Sequence, residues 1–204
     1  MDTAKYGVMI FVISFSLVYI AVFCLVPNSS DGMAFVPEKI MNGEWYRVFT
    51  FPFAHLDFWH LTENVVSLLI VGVIATELKT EFYDFAVIYI AASFLAIIPM
   101  IAISSFSAVG ASAAVYGGFG VITQKLSELK VVGQVPLIIM IGVVFVRAIT
   151  SIFECGINCD SFAFAMKQGG VHFSGLLMGA GMFKFMNNKP ISPKSILRGV
   201  AYGG

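Results

Sequence analysis

The sequence predicts an all-α membrane protein: six transmembrane helices in one bundle, with an interfacial first loop. Three observations lead there. The chain is 58% hydrophobic and only 12% charged, with a mean hydropathy of +0.89, whereas a soluble domain carries far more charge on its surface. Apolar runs recur at the length that spans a bilayer, about 20 residues at 1.5 Å rise across roughly 30 Å of hydrocarbon. The breaks between those runs are polar or glycine-bearing, as turns should be.

The first run, residues 6–26, reads as a retained helix because it is longer than the core of a signal peptide. Pro27, Asn28 and Gly32 end it. Further helices are expected at residues 60–78, 82–103, 112–129, 134–153 and 170–186. Glu77, Lys79 and Glu81 mark a tight turn after the second. Residues 104–110 form a loop of small side chains, 125–133 a polar turn, and 154–169 a longer loop with Cys155 and Cys159. A local disulfide and two free thiols are equally compatible with that spacing. One domain covers residues 1–204, with its core at 6–186 and a short basic tail at 187–204.

Charge sets the orientation. With both termini cytoplasmic, eight of the 12 Lys and Arg residues lie inside and three outside, with Arg147 within the fifth span. That satisfies the positive-inside rule. The formal net charge is zero, so nothing argues for a nucleic-acid partner. The expected surroundings are lipid bilayer and other transmembrane segments.

In this orientation His60, Ser112 and His172 all enter from the outer face, at the starts of the second, fourth and sixth spans. Ser112 alone, in the run GASAAVYGG, reads as close helix packing, as do Gly110, Gly117, Gly118 and Gly120. His172 shifts the balance. It shares a helix face with Gly175 and Gly179, while Ser112 shares one with Tyr116 and Gly120. Two glycine-lined faces can approach closely, and an ionisable group inside a span is a functional hypothesis by default. A neutral imidazole can take a serine proton, making a nucleophile and base. His60 and Asn64, four apart, share a face and can both donate hydrogen bonds. With the Ser112 backbone N–H they suit an oxyanion, although an ordinary interhelical contact explains Asn64 equally well. His55 and His60 are five apart, off the i, i+4 spacing of zinc helices, so no metal site is expected. No carboxylate has a spacing that completes a triad with His172. Glu63, one turn from His60, reads as an interfacial solvated charge or as a group that tunes His60.

Together these motifs resemble the rhomboid family of intramembrane serine proteases. Trp45-Tyr46-Arg47 is similar to its W-x-R motif. His55, His60 and Asn64 match its His–His–Asn pattern, Gly110-x-Ser112 its nucleophile motif, and His172, Gly175 and Gly179 its sixth-helix motif. Ala113 stands where the family usually has glycine. The resemblance implies a six-helix rhomboid-like bundle, a Ser112–His172 dyad without an acidic member, and an oxyanion hole from His60, Asn64 and backbone. It implies that Tyr116 packs on the His172 ring, with Gly110 and Gly175 supporting the dyad. It implies cleavage of transmembrane protein substrates near the outer face, without cofactor or metal. The first loop, with seven aromatics from Trp45 to Trp59, would lie partly in the outer leaflet, as interfacial aromatics do. The alternative is a non-catalytic rhomboid-like protein that binds transmembrane helices for quality control or trafficking. A small transporter would need internal repeats and broken mid-membrane helices, which the sequence lacks.

Overall fold

The computed structural model describes residues 3–103, 107–128 and 159–187. The predicted fifth helix at 134–153, the tail beyond 187, and Arg147 and Cys155 lie outside the described residues, as does the Cys159 side chain. Within them the chain runs α1 (Thr3–Leu25), α2 (Ser29–Met33), α3 (Pro37–Met41), α4 (Arg47–Thr50), a 3₁₀ turn (Phe51–Phe53), α5 (Phe58–Glu77), α6 (Phe82–Leu95), α7 (Ile98–Ile103), α8 (Ser112–Glu128) and α9 (Cys159–Asn187).

Among the described residues, three stretches are long and apolar enough to cross a membrane: Tyr6–Leu25, Phe58–Glu77 and Phe82–Ala102. Their outer faces carry bare aliphatic and aromatic side chains, among them Leu17 at 61% exposure and Tyr83 at 69%. A soluble protein does not leave contiguous apolar surface of this kind to water, so these faces belong against lipid.

Two expectations are corrected. The third predicted helix, 82–103, is interrupted at Ala96 and Ile97, and α7 starts at Ile98. Pro99 is the cause, because its ring lacks an N–H and clashes with the carbonyl four residues back. The predicted 154–169 loop is also too long: α9 is helical from Cys159. At 1.5 Å per residue its 29 residues extend about 43 Å, beyond the roughly 30 Å hydrocarbon core. The extra turns lie N-terminal to the predicted start at residue 170.

The first loop is built rather than slack. Arg47 is 3% exposed. Its Nη1 donates to the carbonyls of Asp31 at 2.8 Å and Ala34 at 3.0 Å, and its Nε donates to Glu44 Oε2 at 2.7 Å. The Arg47 guanidinium in turn holds the Glu44 carboxyl below its usual pKa. A buried cation is tolerated only when its donors are satisfied this fully. This loop grips the segment before α8. Phe35 and Ala108 exchange two backbone hydrogen bonds, at 2.8 and 3.0 Å, and the Gly110 N–H donates to the Phe51 carbonyl at 3.0 Å.

The interior has two levels. Between α1, α5, α6 and α8 lies a core that includes Val12, Leu68, Val71, Phe85 and Tyr89. Inside it the Tyr19 and Tyr89 hydroxyls hydrogen-bond each other at 2.8 Å, which lets both phenols stay buried. Near the first loop a smaller cluster gathers Phe35, Phe51, Ile97, Ala113 and Val171. The Ala113 methyl is housed there, 3% exposed.

Helices α8 and α9 meet backbone to backbone. A Cβ on Gly175 would overlap the Ala113 carbonyl, one on Gly179 the Gly117 carbonyl, and one on Gly120 the Leu176 carbonyl. Only hydrogen at these positions permits that approach. Gly181, two residues from Gly179, has nothing within 4 Å of such a Cβ. Gly179→Ala is therefore expected to lower the thermal midpoint in detergent by an amount equivalent to about 1–3 kcal/mol of overpacking. Gly181→Ala should leave the midpoint unchanged or raise it slightly. Equal effects of the two changes would show that the seam does not depend on the missing side chain.

Candidate active site

The start of α8 is shaped by what precedes it. Gly110 has φ +103°, a conformation that L side chains rarely adopt. A Cβ there would also fall 2.7 Å from His60 Cε1 and 2.8 Å from His60 Nε2. Glycine thus serves twice: it turns the chain into the helix and leaves room for the His60 ring. Ala111 accepts the first helical hydrogen bonds, from the N–H groups of Ala114 at 3.0 Å and Val115 at 3.1 Å. Ser112 is the first helical residue. Its N–H, like that of Ala113, has no carbonyl one turn back within the helix and can donate elsewhere.

Helix α5 opens with Asp57 as N-cap, whose side chain accepts from the His60 N–H at 2.8 Å. This cap sets the register of the first turn and hence of His60 and Asn64. The Leu56 N–H points at His60 Nδ1 across a long 3.5 Å. That contact favours the tautomer with hydrogen on Nε2, the atom beside Gly110. Asn64 is buried and donates through Nδ2 to the His60 carbonyl at 2.8 Å. A second N–H remains on the same nitrogen, which lies 3.7 Å from where a Gly110 Cβ would be.

His172 is carried by α9 and is 5% exposed. Its ring stacks on Tyr116 of α8, with centroids 4.5 Å apart and planes 19° from parallel. The glycine seam makes this possible. Gly175, one turn after His172, lies against Ala113, the residue next to Ser112.

Two cavities flank this point. One, of about 380 Å³, is lined by His60, Glu63, Asn64, Ser112, Tyr116 and His172 among others. The other, of about 230 Å³, runs under the first loop past Phe51, Leu56, Ile97, Val109 and Val171. His60, Ser112, Gln168 and His172 line both. Thus Ser112, His60, Asn64, Tyr116 and His172 share the larger cavity. Gly110 lines the smaller one, and Gly175 acts behind the wall. Hydroxyl, imidazole and several N–H donors around a cavity are the parts that acyl transfer requires. Among the described residues no group of three His, Cys, Asp or Glu side chains could hold a metal ion.

Sequence reasoning missed Gln168, which lines both cavities. It fell in the expected 154–169 loop. Once α9 is extended, Gln168 stands one turn before His172 at i, i+4 spacing, a signal hidden only by the misplaced boundary. The burial of His55 was also not foreseen. At 1% exposure, it packs edge-on to Tyr19 at 5.5 Å and to His60 at 5.3 Å between centroids. Neither ring nitrogen makes a well-formed hydrogen bond. Burial, aided by the neighbouring His60, pushes its pKa down to about 4, against weaker opposition from a Phe53 backbone group and Asp57. A neutral His55 therefore forms one side of the bed on which His60 rests.

Comparison with known proteins agrees with this architecture. Residues 42–187 match the family described as Rhomboid domain. The chain is 30% identical over 123 residues to the Rhomboid protease GluP of Bacillus subtilis (strain 168), covering 57% of this chain and 24% of that protein. The chain thus matches about a quarter of the length of this curated relative.

The His55 geometry predicts a pH effect of definite sign. Because the folded pKa lies below the unfolded value of about 6.5, the unfolded state binds more protons between the two. Stability should fall as pH drops from about 6.5 to 4 and then level off for this group, by roughly 3 kcal/mol at most. Thermal melts in detergent across that range should show the slope, and His55→Gln should flatten it. An unchanged slope in the variant would assign the effect to other groups.

Proposed function

The chain belongs to the rhomboid family, and from that premise we propose that it is an intramembrane serine endopeptidase acting through a Ser112–His172 dyad. The observation that carries this reading is the shared wall of the larger cavity, where the serine opening α8 and the histidine of α9 stand with His60 and Asn64. The kinship with a protein named as a rhomboid protease supports it. The six-span plan is part of the proposal: the fifth span lies at 134–153, both termini are cytoplasmic, and the site faces the extracytoplasmic side. The distribution of Lys and Arg supports that orientation. The substrates are transmembrane segments of other proteins.

In this mechanism a substrate segment reaches the cavity from the side and unwinds locally, since a helix hides its carbonyls in its own hydrogen bonds. Ser112 Oγ attacks the scissile carbonyl while His172 takes its proton. The oxygen gains negative charge and is held by His60 Nε2–H, Asn64 Nδ2–H and the Ser112 N–H. His172 then protonates the departing amine. Water, deprotonated by the same imidazole, releases the acyl group and restores Ser112. The Tyr116 ring limits the tilt of the imidazole, a role otherwise taken by a carboxylate.

Ser112→Ala should reduce cleavage of a transmembrane substrate to background while the purified protein keeps its melting temperature. Cleavage at the original rate would reject Ser112 as nucleophile. His172→Ala should abolish labelling of Ser112 by a fluorophosphonate probe, read by in-gel fluorescence. Undiminished labelling would remove His172 from the role of base.

A further inference from the structure

The two cavities meet at four of the described residues: His60, Ser112, Gln168 and His172 line both. Three of them carry the mechanism above as oxyanion donor, nucleophile and base. Gln168 is the fourth and has no part in it. Its place is set by packing on the turn that follows. Gly170 faces α7, where a Cβ would overlap the Met100 sulfur. Val171 is buried in the cluster near the first loop, and the His172 ring lies on Tyr116. The half-buried Gln168 thus rides on a stretch of α9 that its neighbours hold in register.

The bond to be cut must lie at Ser112. The substrate therefore enters the larger cavity on one side of that bond and the smaller cavity on the other. To do so it has to give up its helix. Each unwound residue then brings an N–H and a C=O that have lost their partners, at a depth where water is scarce. A site that takes such a segment has to supply replacements, because a buried polar group without a partner is costly. His60, Asn64 and the Ser112 N–H are committed to the oxyanion, and Ser112 Oγ and the His172 ring to the reaction itself. A carboxamide offers two N–H donors and an oxygen with two lone pairs, the pairing functions of a peptide unit. With four such positions, it is not exhausted by the interaction that Gln168 already makes within the protein.

We propose that Gln168 is a substrate-binding residue: its carboxamide hydrogen-bonds the unwound backbone next to the scissile bond, where the segment passes from one cavity to the other. The inference rests on the proposed protease reading and adds to it how the unwound main chain is held. Such a contact reads the backbone, which every substrate shares, rather than a particular side chain.

The test uses the full chain in detergent and a transmembrane peptide that it cleaves in a Ser112-dependent manner. Each of the three peptide units on either side of the scissile bond is replaced in turn by an ester, which removes the N–H and weakens the carbonyl as an acceptor without adding bulk. In the wild type, the ester at one of these units should lower kcat/KM for the original bond by roughly three- to tenfold, the scale of one neutral hydrogen bond. Gln168→Met, which keeps the length of the side chain without its polar end, should lower kcat/KM for the all-amide peptide by a similar factor. The cost of the ester at that one unit should then disappear, while costs at the other units persist. Gln168→Ala should behave alike, so the outcome does not hang on one replacement. Fluorophosphonate labelling of Ser112 should keep its rate in both variants, since the probe has no peptide backbone, and melting temperatures show that both are folded. Ester costs that are the same at every unit in wild type and variants would overturn the assignment and leave the protease reading intact. So would a labelling rate that falls together with cleavage at an unchanged melting temperature, which would place the effect on Ser112 and His172 instead of the substrate. Absence of Ser112-dependent cleavage for every peptide would overturn the protease reading, and the backbone contact with it.

Discussion

The contact between the backbones of α8 and α9 is the constraint on which the candidate site depends. Ser112 and His172 are 60 residues apart in sequence and reach one cavity because Gly175, Gly179 and Gly120 leave nothing between the two helices but hydrogen. In a membrane this matters more than in water. Lipid tails are as apolar as side chains, so helices are held by close packing rather than by expulsion of water. A seam of small residues brings the axes near enough for Tyr116 to lie flat on the His172 ring. The same glycines that suggest mere packing thus determine where the imidazole can be.

The first loop acts from the opposite side. It is pinned through the buried Arg47, whose hydrogen bonds to the Asp31 and Ala34 carbonyls join segments 16 and 13 residues apart. The pinned loop then holds the chain before Ser112 through the Phe35–Ala108 pair and the Phe51–Gly110 hydrogen bond. Polar groups drawn together in this way satisfy one another and need little water. Ala113 belongs to the same arrangement. Its methyl fills space among Phe35, Phe51, Ile97 and Val171, so the departure from the family's usual glycine is accommodated by the packing beneath the loop.

The candidate site residues gather toward one end of the bundle. His55, His60, Asn64 and Ser112 lie at or near the starts of α5 and α8, and His172, from within α9, joins His60, Asn64 and Ser112 at the larger cavity, while the middle of the bundle is built from Val12, Leu68, Phe85 and Tyr89. Even the buried tyrosine hydroxyls satisfy each other. Helix starts are where backbone N–H groups remain available, and they carry the positive end of the helix dipole.

Composition and apolar run length by themselves determined the membrane class, because no arrangement in water could cover so much apolar surface. The motifs determined the family, since Trp45-Tyr46-Arg47, His60, Asn64, Ser112 and His172 follow one another in the order and spacing of its pattern. The starts of α5 and α8 were legible to within two residues from caps and glycines. The start of α9 was not, because residues 159–169 are too polar to announce a membrane helix, and Gln168 was missed with it. Nor could periodicity reveal the break at Ala96 and Ile97 between α6 and α7. Only the tertiary structure decided that His55 is buried under His60, that Glu63 is among the residues lining the larger cavity, and which glycines touch backbone. These are matters of which distant segments meet, and a local pattern carries the face of its own helix but not the identity of the surface packed against it.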